Sequence, residues 1–111
     1  MNTREKFNLE KSILEKLQDL GFSDWELKSA TYKENARVPL GVLYDIQKWI
    51  LEEFGIYLEI ILDTDSLYFW KMINVKTRKE LDRTLNGFDS PELSLIDAIS
   101  TFINHHCPDS E

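Results

Sequence analysis

The residues with the most chemical potential stand near the C-terminus, where His105, His106 and Cys107 run consecutively with Asp109 close behind. Imidazole, thiolate and carboxylate are ligand types for zinc, and a thiol beside an imidazole is the start of a cysteine nucleophile. Zinc needs ligands that converge, and no second ligand pair with zinc spacing stands upstream. A nucleophile needs a held geometry and a third orienting group. Residues 105–111 read as a solvated, disordered tail, so no metal site, cofactor or catalytic residue is expected.

Other charged groups fail similar tests. Asp63-Thr64-Asp65 opens like a calcium-binding EF-hand loop, but Tyr68 stands where the glycine belongs and Asn74 where the bidentate glutamate belongs. Glu52 and Glu53 are neighbours on a predicted helix and point apart, so they do not pair with each other or with Glu59 for acid–base work. The four glycines, at 21, 41, 55 and 87, are scattered singly and make no phosphate-binding loop. Lys76, Arg78, Lys79 and Arg83 follow Tyr68, Phe69 and Trp70, an order that superficially suggests an RNA-binding sheet, yet no RNP-type motif is present.

Net charge is −7 over 111 residues, and its distribution is uneven. The first 38 residues balance, 39–66 are acidic, 67–83 are basic, and beyond Arg83 there is no Lys or Arg at all. Such a chain is repelled by nucleic acid and anionic membrane, which are not expected as partners. The uncompensated acids Asp89, Glu92, Asp97, Asp109 and Glu111 leave one special alternative, an inhibitor that mimics nucleic acid in the basic groove of another protein. The single cysteine fits a reducing compartment, Met1 to Lys6 leads into no apolar leader, and no apolar run is long enough to span a bilayer. The expected setting is the cytoplasm.

The elements that would hold these groups follow from hydrophobic spacing. Phe7, Leu9, Ile13, Leu14, Leu17 and Leu20 predict an N-terminal helix over about Thr3 to Leu20, stopped at Gly21. Ser23-Asp24-Trp25-Glu26 has capping-box spacing, and 28–37 is a polar connector with an extended segment around Thr31-Tyr32. Leu43, Ile46, Ile50 and Phe54 predict a long helix over Leu40 to Phe54, ended by Gly55. Ile56 to Leu62 and Leu67 to Val75 predict a hairpin around the turn formers Asp63 to Ser66. About Glu80 to Leu85 predicts a third strand. Ser90 as cap and Pro91 as first helical residue predict a closing helix striped by Leu95, Ile96, Ile99, Phe102 and Ile103.

A four-residue hairpin loop pairs Leu62 with Leu67. It sets Ile60 opposite Phe69, Leu58 opposite Lys71 and Ile56 opposite Ile73 on one face. On the other face it sets Ile61 opposite Tyr68, Glu59 opposite Trp70 and Tyr57 opposite Met72. One face suffices to pack the helices, so Tyr57, Ile61, Tyr68, Trp70 and Met72 are the candidate interface, covered by the N-terminal helix, a partner or a second copy.

The order of signals resembles a loose group of small, uncharacterised proteins of phages and mobile elements of gut anaerobes. The residues that carry it are Leu17 to Leu20 with Gly21-Phe22 and Trp25, Pro39-Leu40, Gln47-Lys48-Trp49-Ile50-Leu51-Glu52, Gly55-Ile56-Tyr57-Leu58-Glu59, and Phe88-Asp89-Ser90-Pro91-Glu92. Together they cover most of residues 9–103. Pro91 and Leu93 depart from the group's aromatic and acidic residues, and the connector 28–37 is short. The resemblance implies no activity, so no residue role is carried over from it.

These observations predict a single α+β domain over residues 1–104. An N-terminal helix and connector (1–37) precede a helix–sheet–helix core (38–104) with a three-stranded antiparallel sheet. The expected function is a non-enzymatic protein-interaction or accessory module; a structural homo-oligomer, with a homodimer as its simplest form, is the alternative beside the acidic mimic.

Overall fold

The computed structural model describes residues 6–22 and 35–106. In chain order these form β1 (Lys6–Glu10), α1 (Lys11–Asp19), β2 (Asn35–Pro39), α2 (Leu40–Phe54), β3 (Ile56–Leu62), β4 (Tyr68–Asn74), β5 (Lys79–Arg83) and α3 (Pro91–His106). The fold is α+β, with the three-stranded antiparallel sheet in the order β3-β4-β5 and the expected succession of helices around it.

The start of the chain differs from expectation. Residues 6–10 are a strand rather than the first turns of a helix, paired antiparallel with β2 from Lys6 opposite Pro39 to Glu10 opposite Asn35. Phe7 and Leu9 are two apart, the strand period, whereas Ile13, Leu14 and Leu17 carry the helical one. The capping-box segment, Thr31-Tyr32, and the residues before Lys6 lie outside the described residues. α1 ends as expected at Gly21, where Phe22 N–H donates to Leu17 O and Gly21 N–H to Gln18 O, both at 3.0 Å.

α2 occupies the expected residues. Val42, Leu43, Ile46 and Ile50 are buried along one stripe. Gly55 closes it with φ of 67° and an N–H that donates to Leu51 O at 3.0 Å. A side chain there would be held in the left-handed region at a cost of about 1–2 kcal/mol. α3 begins as its cap predicts, with Leu93 N–H donating to Ser90 Oγ at 3.2 Å. It runs further than expected, so His105 and His106 form its last turn rather than a tail, while 107–111 lie outside the described residues.

One core joins these elements. Leu9, Ile13, Leu14 and Leu17 meet the stripes of α2 and α3 and the inward side chains Ile56, Leu58, Trp70 and Met72. A run of ring contacts threads it: Phe22 on Trp49 at 5.3 Å, Trp49 on Phe54 at 5.4 Å, and Phe54 on Phe102 at 5.3 Å. His106 stacks on Phe102 at 4.7 Å and meets Phe54 edge-on at 4.5 Å.

The β3–β4 register is shifted by one residue from the expected pairing. Leu62 lies opposite Tyr68, Ile60 opposite Trp70, Leu58 opposite Met72 and Ile56 opposite Asn74. The reason is the turn. Ser66 N–H donates to Asp63 O at 3.0 Å, Ser66 takes a φ of 63°, and Asp63 N–H donates to Leu67 O at 2.8 Å. The loop is therefore three residues with a left-handed bulge position at Ser66, not four. A one-residue change moves every side chain of a strand to the other face.

Candidate functional site

The shifted register divides the predicted interface. Trp70 and Met72 point inward and are only 3% and 4% exposed, so they belong to the core rather than to a surface. Tyr68 shares their side of β4, is half-buried, and exchanges backbone hydrogen bonds with Phe88 at 2.8 and 2.9 Å. Of the five residues, Tyr57 and Ile61 remain on the outer face.

Their true neighbours on that face are Ile73, opposite Tyr57, and Phe69, opposite Ile61. Strand alternation adds Val75, which is exposed. Among the described residues none of these five belongs to the core or packs against it, since the helices cover the other face. They make two apolar clusters, Tyr57–Ile73–Val75 at one end and Ile61–Phe69 at the other. Between them runs a charged row. Glu59 is opposite Lys71, and Lys71 is opposite Arg83.

Glu80 neutralises this row. It accepts two hydrogen bonds at 2.7 Å from Arg83 Nε and Nη2, and Lys71 Nζ stands 3.9 Å away. The Arg83 hydrogen bonds hold the Glu80 carboxyl below its ordinary pKa and raise that of the guanidinium. Ile61, Asp63, Phe69, Lys71, Arg83 and Thr84 border a hollow of about 270 Å³ on this face.

The inner side holds a second feature. The β4–β5 register slips between Met72 and Ile73, leaving Leu81 unpaired. A bulge re-aims side chains, and here Leu81 and Asp82, neighbours in sequence, line one cavity of about 200 Å³ with Ile56, Met72, Phe102, His105 and His106. His105 Nε2 lies 3.5 Å from Asp82 Oδ2. Both histidines thus have structural contacts, with Asp82 and with the Phe54–Phe102 rings. Among the described residues no three His, Cys, Asp or Glu side chains cluster to hold a metal. Cys107 and Asp109 lie outside them.

Glu52, Glu53, Asp63 and Asp65 are exposed, and Glu59 is half-buried in the charged row. The sequence pattern missed Phe69, Ile73 and Val75 as surface residues, although every other residue from Phe69 to Val75 is their signal once the register is known. Among the described residues no helix is long and apolar enough to cross a membrane. Compared with known proteins, the chain matches no family model, no curated protein and no solved structure.

Proposed function

We propose that this chain is a non-enzymatic protein-interaction module that docks through the outer face of its three-stranded sheet. What carries the reading is the apolar set Tyr57, Ile61, Phe69, Ile73 and Val75, which stands apart from the core that the described residues form. A sheet packs its helices with one face; apolar clusters on the second face, here on either side of a charged row, mark an interaction surface. Tyrosine and phenylalanine there supply contact area at low entropy cost, and the Glu59–Lys71–Arg83–Glu80 row sets orientation. The partner is protein rather than nucleic acid, because the net charge of −7 opposes phosphate. The single cysteine supports a cytoplasmic setting, and a phage or mobile-element origin rests on the sequence resemblance alone.

Ile73→Lys tests this reading, because a lysine opposite Glu80 leaves the fold intact while charging the patch. Capture from extract of the native host should retain a protein on the wild-type chain at high salt and lose it with Ile73→Lys. A folded Ile73→Lys chain that retains every wild-type partner would overturn the proposal.

A further inference from the structure

We infer that the occupant of this face is a second copy of the chain, packed sheet on sheet with its strands reversed; the inference rests on the docking role proposed for the outer face. The two ends of the sheet carry opposite charge. The β3–β4 turn presents Asp63 and Asp65, and the β4–β5 turn presents Lys76 and Arg78, all of them exposed. Among the described residues none of these four has an ion-pair partner. Seven-residue strands separate the two turns by about 23 Å.

That polarity is self-complementary. A two-fold axis between stacked sheets, running across the strands, sets each acidic turn over the partner's basic turn. The same operation lays the Tyr57–Ile73–Val75 cluster over the partner's Ile61–Phe69 cluster. An axis along the strands would instead set acid over acid and base over base, so charge selects the reversed arrangement. The middle row does not oppose it, because Glu59, Lys71, Arg83 and Glu80 compensate one another within each copy.

Pairing at the β3 edge of the sheet is one competing mode, and a side chain obstructs it. Tyr68 bonds Phe88 and Trp70 O accepts from Thr84 N–H, so the even-numbered residues of β4 turn their backbone away from β3. By antiparallel alternation the even-numbered residues of β3 then face the open edge. There Gln47 Nε2 already donates to Leu58 O at 2.7 Å. The flat footprint, roughly 14 by 23 Å from strand spacing, is small for a stable dimer, so association in the micromolar range is expected.

The test is analytical ultracentrifugation of the full chain from low to several hundred micromolar. Wild type should pass from monomer to dimer, and Ile73→Lys should remain monomeric. Reversing the acidic turn (Asp63→Lys with Asp65→Lys) or the basic turn (Lys76→Glu with Arg78→Glu) should each weaken the dimer roughly tenfold or more. Mixing the two reversed variants should restore association, because two basic ends then meet two acidic ends. A wild-type chain that stays monomeric overturns the inference, as does a dimer indifferent to all these changes. If it is monomeric yet loses a captured protein through Ile73→Lys, the docking role stands and the self-pairing falls. If Ile73→Lys changes neither, both fall.

Discussion

The indole nitrogen of Trp70 donates a 2.7 Å hydrogen bond to Asp97 Oδ2, joining the middle strand of the sheet to α3. Trp70 is 3% exposed, so its polar atom depends on this acceptor. Asp97→Ala leaves a buried donor unpaired and should cost about 1–3 kcal/mol. Asp97→Asn, which keeps an acceptor, should cost less. Urea unfolding of the three proteins orders them; an Asp97→Ala chain as stable as wild type would show that the bond contributes nothing.

Gly87 is fixed by close approach. A Cβ there would stand 2.6 Å from Leu67 Cβ and 3.0 Å from Phe69 Cζ. Gly87→Ala should destabilise by about 1–3 kcal/mol through overpacking. The nearest atom is the Leu67 Cβ itself, so Leu67→Ala should not relieve the loss. Thermal melts of the single and double variants read both results.

Ser66 occupies the left-handed bulge position of the β3–β4 turn with φ of 63°. Glycine takes that conformation without strain, though it loses more entropy on folding. Ser66→Gly should therefore stabilise the chain by up to about 1 kcal/mol, seen as a higher urea midpoint with an unchanged slope.

Glu80 gives a pH dependence of known sign. Its carboxyl is held below its ordinary value first by the Arg83 hydrogen bond. Its contribution is thus complete above the unfolded pKa and is lost as pH falls through the lower folded one. Wild type should exceed Glu80→Gln in stability at neutral pH, and the gap should close in acid. The pair is exposed, so the effect is small and salt-sensitive. Urea midpoints for the two chains across that range, at low and high salt, check it.

Local signals made much of this fold readable. Leu40 to Phe54 carries its stripe between a proline and a glycine, and the helix falls there. Ser90-Pro91 marks the start of α3 because capping is a property of adjacent residues. Asp63 to Ser66 announces a turn, but nothing in those four types says which residue turns left-handed, and the pairing hangs on that. The error at Ser66 carried Trp70 and Met72 to the wrong face and hid Phe69 and Ile73. β1 was hidden for a different reason: its partner β2 lies about 25 residues on, and hydrophobic spacing in a short segment carries no trace of a distant strand. The last turn of α3 was lost because His105 and His106 look polar, whereas Phe54 and Phe102 give His106 a surface to lie on.

The hydrogen bond from Gln47 to Leu58 O has a consequence for solubility. β3 reads Ile-Tyr-Leu-Glu-Ile-Ile-Leu, free of proline and glycine and nearly free of charge, a composition suited to fibril growth from an open edge. Gln47 belongs to α2, the helix whose stripe packs the core, so the guard stays in place as long as that helix stays docked. Any change that loosens α2 exposes a fibril-prone edge as well as costing stability, and aggregation should set in before global unfolding is complete.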